Sequence, residues 1–412
     1  MTLAQGQLLR PAAALDGSIS VPSDKSIAHR ALICGALANG RSEISLDAPG
    51  EDVLSTVSAL SALGAKVNAQ PVGDVHLVEI EGQGDAFGIA ALSGGTADCG
   101  NSGTSMRLLA GALASGSGLA RLVGDSSLSR RPMERVAEPL REMGAEIHLS
   151  DGHAPVVIYG RHPLQPIDYV MPIASAQVLG AISFAALTAD GVTTVSVPGS
   201  VRDHTERMLA ALGVDISRTD HDKGTTTAIK GPAHLRPQIT RIPGDISSAA
   251  AWMVLASIHP DASIALRRVS VNPSRTAVID VLRRMGADIR VEQFEFVGEP
   301  VGEIEVRGGD RLRAISLTAD EVAPLIDELP LLAVAMAAAD GTSEVRGAGE
   351  LRVKESDRIS AIGAALTAAG ANFEELPDGW RITPGLVASV FAPPPLGLVA
   401  LSALPFSSSH ST

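Results

Sequence analysis

"ALGAKV" at 62–67 returns, lightly varied, as "EMGAEI" at 142–147, "ALGVDI" at 211–216, "RMGADI" at 284–289 and "AAGANF" at 368–373. The glycines at 64, 144, 213, 286 and 370 are separated by 80, 69, 73 and 84 residues, an internal self-similarity that marks a chain of repeated supersecondary units. Each copy closes an amphipathic run, such as "EDVLSTVSALSAL" at 51–63 or "RPMERVAEPLREM" at 131–143, and opens a short alternating stretch. The pattern predicts a helix, a glycine cap in the left-handed region, and then a strand. Upstream of each copy lies a second helix of small apolar residues: "AHRALICGALA", "SMRLLAGALA", "AQVLGAISFAAL", "SSAAAWMVLAS" and "LPLLAVAMAAA". Helices that are apolar all round are buried. Each unit therefore reads as a buried helix, a strand, an exposed helix and one or two further strands. Such units are stable only when stacked on neighbours. Three precede "PQITRIPGDIS" at 237–247 and two follow it, which predicts two similar domains with the second incomplete.

At 412 residues the chain is too long for one ordinary core, in agreement with two domains. Aromatic residues are only 3% of the chain, so Ala, Leu, Val and Ile must fill the interior. A net charge of −13 argues against a nucleic-acid surface and confines any anion site to a local cluster of cations. Cys34 and Cys99 have no metal spacing and form no framework of pairs, which points to a reducing compartment. The N-terminus has no basic region followed by an apolar run, and no apolar stretch reaches the length of a membrane helix. A cytoplasmic protein is expected.

The starts of the buried helices turn from apolar to polar in unit after unit. A helix start offers unpaired N–H groups and partial positive charge, which suits an anion. In "VPSDKSIAHR", Ser23 or Asp24 can cap while Lys25, Ser26, His29 and Arg30 occupy the first two turns. "CGNSGTSMRLLAG" at 99–111 offers Asn101, Gly103 and Thr104 in a small-residue turn, with Arg107 one turn in. Arg130 and Arg131 precede Pro132, which is expected to open a helix. Ser175 and Gln177 open the third buried helix, as ligand donors or as a simple cap, and Ser200, Arg202 and His204 follow. In the second half, Asp327 and Glu328 begin an apolar helix, while Lys354, Glu355 and Arg358 form a charged run. Carboxylates beside cations are candidates for proton transfer. Together these cations point to a small ligand carrying several negative charges, phosphate and carboxylate rather than polymer.

The strings "PSDKSIAHR", "GNSGTSMRLLAG", "RPMERV", "ASAQV", "RDHTERML", "DELPLLAVAMAAADG" and "ELRVKESDRI" together resemble the 5-enolpyruvylshikimate-3-phosphate synthase family, in the family's order, over about residues 15 to 385. The resemblance implies an α/β fold: a two-domain inside-out α/β barrel of repeated units, with helices inside and strands outside. It implies one domain at 22–240 that binds mainly shikimate 3-phosphate. The other, 1–21 plus 241–385, completes the phosphoenolpyruvate site. The implied reaction transfers the enolpyruvyl group of phosphoenolpyruvate to the 5-hydroxyl of shikimate 3-phosphate and releases phosphate, in chorismate and aromatic amino-acid biosynthesis. It needs no metal or organic cofactor, no nucleic acid and no membrane, and the enzyme is expected as a monomer.

By the same resemblance Lys25, Arg131 and Arg358 hold phosphoenolpyruvate, and Asn101, Gly103 and Thr104 line its pocket. Ser26, Arg30, Ser175, Ala176, Gln177 and Arg202 bind shikimate 3-phosphate. Asp327 accepts the 5-hydroxyl hydrogen bond and is the candidate base, Glu355 is the candidate proton carrier at the methylene, and Lys354 contacts both reacting groups. Ala176 and Leu108 depart from the serine and proline of some members. From residue 386 the chain departs altogether: 382–412 hold no Asp, Glu, Lys or Arg, and the family's sixth unit is not recognisable there. An atypical tail at 386–412, a destabilised second domain and weak turnover are the expectation. Two other readings remain at this level, a non-catalytic binder of shikimate 3-phosphate and a UDP-N-acetylglucosamine enolpyruvyl transferase. "KSIAHR", "ASAQ" and the lack of a reactive loop cysteine argue against the latter.

Overall fold

The computed structural model describes residues 13–84, 95–116, 118–296, 298–353 and 356–384. The tail at 386–412, and with it the expectation of a missing sixth unit, lies outside these residues, as do Lys354 and Glu355.

The five small-residue stretches form α1 (Lys25–Leu37) and, in the next two units, the helices Gly103–Ala114 and Ala176–Ala186; the second half supplies Ile246–Ile258 and Leu329–Ala338. Each is followed by an amphipathic helix: α2 (Glu51–Ala62) after the first, then Glu134–Glu142, His204–Ala211, Ala277–Arg284 and Arg358–Ala368. In chain order the series continues as α3 (Gly103–Ala114), α4 (Glu134–Glu142), α5 (Ala176–Ala186), α6 (His204–Ala211), α7 (Ile246–Ile258), α8 (Ala277–Arg284), α9 (Leu329–Ala338) and α10 (Arg358–Ala368). The repeat glycines all lie in the left-handed region, with φ of 89°, 105°, 101°, 104° and 93° at Gly64, Gly144, Gly213, Gly286 and Gly370. There a residue with a Cβ is strained, so the helix ends where the sequence says it should. Small residues also set the spacing inside: a Cβ on Gly111 of α3 would meet the Ala181 carbonyl oxygen of α5 at 2.1 Å.

Each unit carries a four-stranded sheet, five among the described residues. In the second unit Thr96–Asp98 pairs in parallel with Leu119–Val123, which is antiparallel to His153–Tyr159, itself antiparallel to Glu146–Ser150. The same order recurs in every unit. The edge strand before the inner helix, three residues long here, was absent from the expected pattern; it is too short to show a period of its own.

In two units that edge strand comes from far away. Leu15–Ser20 pairs in parallel with Ala262–Ser270 of the fourth unit, and Ile239–Arg241 pairs in parallel with Asn39–Asp47 of the first. The two passing segments lie side by side, with Asp24 N donating to Pro243 O at 2.7 Å and Asp245 N to Pro22 O at 2.8 Å. Two buried apolar clusters flank them, one running from Ile27 to Ile242 and the other taking Val21 and then Ile246 to Ile382. The first gathers α1, α3 and α5; the second gathers α7 and α9. Trp252, Leu255 and Val334 of that second pair remain more than a third exposed.

Candidate active site

Asp24 caps α1, its Oδ1 accepting the Ile27 N–H at 2.9 Å, which leaves Lys25 as the first helical residue. The Lys25 ammonium is half-exposed and paired with Asp52 of α2. His29, one turn further, does not share that outlook. It is fully buried, with Nδ1 at 2.7 Å from Thr56 Oγ1. Burial, with Lys25 and Arg30 close by, lowers its pKa to about 3, so it is a neutral core residue. Arg30 is also buried. Its guanidinium donates to Thr205 Oγ1 at 2.7 Å, to the Ser26 carbonyl at 2.9 Å and to the Ala176 carbonyl at 3.5 Å, joining α1 to the starts of α5 and α6.

Two hydrogen-bonded chains meet at the start of α3. Arg131 donates to Asn101 Oδ1 and Asn101 to Asp125 Oδ2, both at 2.6 Å. Arg107 donates to Gln177 Oε1 at 2.6 Å, and Gln177 donates to Thr104 Oγ1 at 2.9 Å. Gly103 sits between the chains: a Cβ there would stand 2.9 Å from Arg107 Nη1 and 3.3 Å from Arg131 Nη1. Burial, with Arg135 and Arg131 nearby, lowers the Arg107 pKa to about 10. The pair thus concentrates positive charge at a helix start. Ser175 caps α5 by accepting the Val178 N–H at 3.3 Å. Pro132 does not open α4, which starts at Glu134. Arg131 and Pro132 stay in the preceding loop, where the guanidinium can turn to Asn101.

Residues from the second half close on this set. Asp327 accepts from Arg202 Nη2 at 2.5 Å, a contact across the two halves, and Arg358 Nη1 stands 4.0 Å from its other oxygen. His204, singled out beside Arg202, turns away and is fully buried with Nδ1 2.7 Å from Glu299 Oε1. Asn272 donates to Glu299 Oε2 at 2.9 Å and to Asp203 Oδ1 at 2.8 Å. Sequence reasoning missed Asn272, Arg275 and Glu299. The signal available was "VNPSRT" at 271–276, a polar loop at the place in the unit where other units bring side chains to the site.

The arrangement gathers guanidinium groups and one ammonium from inner-helix starts (Lys25, Arg30, Arg107), from outer-helix starts (Arg202, Arg358) and from the loop before α4 (Arg131). A carboxylate lies between two of them, and small or neutral polar residues line the space nearby. That suits binding of a multiply charged anion beside a group able to accept a proton.

Residues 9–392 match the family described as EPSP synthase (3-phosphoshikimate 1-carboxyvinyltransferase). A 3-phosphoshikimate 1-carboxyvinyltransferase of Gloeobacter violaceus is 47% identical over 387 residues, covering 93% of this chain and 87% of the relative. The corresponding protein of Thermosynechococcus vestitus is 46% identical over 90% of this chain and 83% of its own length. Among solved structures, an EPSP synthase from Acinetobacter baumannii superposes with a TM-score of 0.82 at 40% identity, over 92% of this chain and 83% of that one. The enolpyruvyl transferase NikO from Streptomyces tendae shares the fold, with a TM-score of 0.67 at 18% identity over 90% and 83% of the two chains.

Proposed function

The chain belongs to the EPSP synthase family, and from that premise we propose that it transfers the enolpyruvyl group of phosphoenolpyruvate to the 5-hydroxyl of shikimate 3-phosphate, releasing phosphate. The observation that carries this reading is the contact of Arg202 with Asp327. It joins the cation-rich helix starts of the first half to the carboxylate of the second.

In the proposed mechanism Asp327 accepts the 5-hydroxyl proton as that oxygen attacks C2 of phosphoenolpyruvate, and the methylene carbon gains a proton from Glu355. The resulting tetrahedral ketal then loses the methyl proton and phosphate. Arg202, hydrogen-bonded to one Asp327 oxygen, and Arg358, near the other, orient that carboxyl group for the first step. Lys25, Arg131 and Arg358 bind phosphoenolpyruvate, with Asn101, Gly103 and Thr104 beside it. Ser26, Arg30, Ser175, Ala176, Gln177 and Arg202 bind shikimate 3-phosphate, and Lys354 contacts both reacting groups. Enclosure between the halves strengthens each charge interaction by excluding water.

We place the domain boundary at the two crossings, giving 22–240 and 1–21 plus 241–385. The two buried clusters support this division, with Arg241 and Ile242 still on the first half's side. Both halves of the site come from one chain, which supports a monomer. The buried thiols of Cys34 and Cys99, each pushed up to about 12 by burial, suit a reducing cytoplasm. We further propose slow turnover, because residues 382–412 hold no Asp, Glu, Lys or Arg and carry no recognisable sixth unit.

The test is phosphate release with both substrates against each alone, with kcat compared to that of the Gloeobacter violaceus relative. Release that requires both substrates is expected, and Asp327→Asn should lower kcat by about 10²- to 10⁴-fold while shikimate 3-phosphate still binds. Equal release from phosphoenolpyruvate alone, or none with both, would sink the proposal.

A further inference from the structure

Arg275 lies in the loop between strand Ala262–Ser270 and α8, almost completely buried. Around its guanidinium stand the acids that begin three inner helices. Asp24 caps α1, Asp245 caps α7, and Glu328 immediately precedes α9. Nη1 reaches toward the first half, 3.9 Å from Asp24 Oδ2. Nη2 reaches into the second, 3.8 Å from Asp245 Oδ1 and 3.2 Å from Glu328 Oε1. Nη2 also donates to Ser247 Oγ at 2.6 Å, and that hydroxyl donates in turn to Glu328.

Three carboxylates face one guanidinium here, with Arg202 and His204 as the further basic groups acting on Asp24. Asp24 Oδ2, Glu328 Oε2 and Arg275 Nε are buried without a hydrogen-bond partner among the described residues. Burial and the neighbouring Asp24 charge raise the Asp245 pKa to about 6, as expected of acids crowded together away from water. Buried ionic clusters stabilise a fold little or not at all relative to well-packed apolar residues. This one therefore calls for a role other than stability.

That role follows from its neighbours in the chain. Lys25 comes directly after Asp24, and Asp327 directly before Glu328. We infer that Arg275 is a positioning residue: by gathering the starts of α1, α7 and α9 at one point, it fixes Lys25 of the first half and Asp327 of the second relative to each other. A forked, planar guanidinium can address both halves at once, whereas the single ammonium of lysine cannot. The inference rests on the proposed transfer reaction only where it concerns rate.

The experiment compares the full chain with Arg275→Lys, Arg275→Met and the double variant Arg275→Met/Glu328→Gln. Three quantities are read: hydrogen exchange along the chain, the melting temperature, and kcat and KM with shikimate 3-phosphate and phosphoenolpyruvate. In Arg275→Lys, exchange is expected to rise together at 24–28, 245–249 and 328–332 and nowhere else. Its kcat should fall about tenfold or more, with KM for shikimate 3-phosphate within about twofold. In the double variant, loss of one unpaired acid should recover melting temperature lost in Arg275→Met but not kcat. Activity that tracks melting temperature across all variants, or a lysine variant as active as the parent, would overturn the inference. If the parent itself shows no turnover, the transfer reading fails while the exchange pattern still decides. A rise confined to the three helix starts upholds positioning, and a uniform rise or none refutes it.

Discussion

Gly103 is where a single methyl group would be felt most directly. The two guanidinium groups beside it leave a gap that only a hydrogen fills, at 2.9 Å and 3.3 Å from where a Cβ would lie. Because the crowded atoms are ends of flexible side chains, Gly103→Ala should fold normally and push Arg107 and Arg131 outward. The expected result is a rise of about tenfold or more in KM for phosphoenolpyruvate, with a smaller rise in the dissociation constant of shikimate 3-phosphate through the Arg107–Gln177 contact. Steady-state kinetics and calorimetry would check it, and equal losses for both ligands would show that the arginines serve a shared site. Gly103 could be picked out from sequence because helix-start chemistry is local, whereas Arg131 was expected at a helix start that the structure places three residues after it, at Glu134. The partners that orient them could not: Arg131 finds Asn101 thirty positions away, and Arg107 finds Gln177 seventy positions away on another helix.

Among the elements, α1 is one in which sequence reading and structure part company. Lys25 and His29, four residues apart, would share a face of an exposed helix, yet this helix is buried on all sides beyond its first turn. His29 therefore packs on Thr56 and remains uncharged. This has a signed consequence. The folded-state pKa of about 3 lies below the unfolded value of 6.5, so between these values the unfolded chain binds a proton that the folded chain refuses. Stability from this group is present above pH 6.5 and drains away as pH falls, by up to about 1.4 kcal/mol per pH unit. His29→Gln should flatten the loss between pH 6.5 and 5, measured as denaturation midpoint against pH; parallel profiles for the two proteins would contradict the assignment. By contrast, the ends of the amphipathic helices were fully legible, because a left-handed glycine is dictated by local sterics and needs no partner. The parallel edge strands were not, since four of the five have only two or three residues and carry no period, and in two units the pairing depends on a segment far along the chain.

For the molecule as a whole, the two halves are unequally filled. The first packs three inner helices together, while the second packs two among the described residues and leaves Trp252, Leu255 and Val334 partly exposed. Both tryptophans of the chain, Trp252 and Trp380, lie in the second half, and Trp380 is fully buried against Phe373 at 6.2 Å between ring centroids. Tryptophan fluorescence thus reports one half alone. Its midpoint in urea should fall below that of far-ultraviolet circular dichroism. Turnover, which needs Asp327 and Arg358 held against Arg202, should vanish with the fluorescence signal. Coincident transitions would instead mean that the crossing makes the halves one cooperative unit.

The exchange of edge strands also fixes an order of events at the ribosome. Leu15 pairs with Ala262, 247 positions later, so at roughly 5 to 20 residues per second its partner is synthesised about 12 to 50 s after it. Meanwhile the sheet built on Asn39–Asp47 waits with one edge open until Ile239–Arg241 emerges. The nascent chain thus carries an orphan strand and an unfinished sheet edge at the same time, each a template for the wrong neighbour. Translation slowed between residues 47 and 239 would lengthen that exposure. Moving the first twenty residues to follow the second half would shorten it.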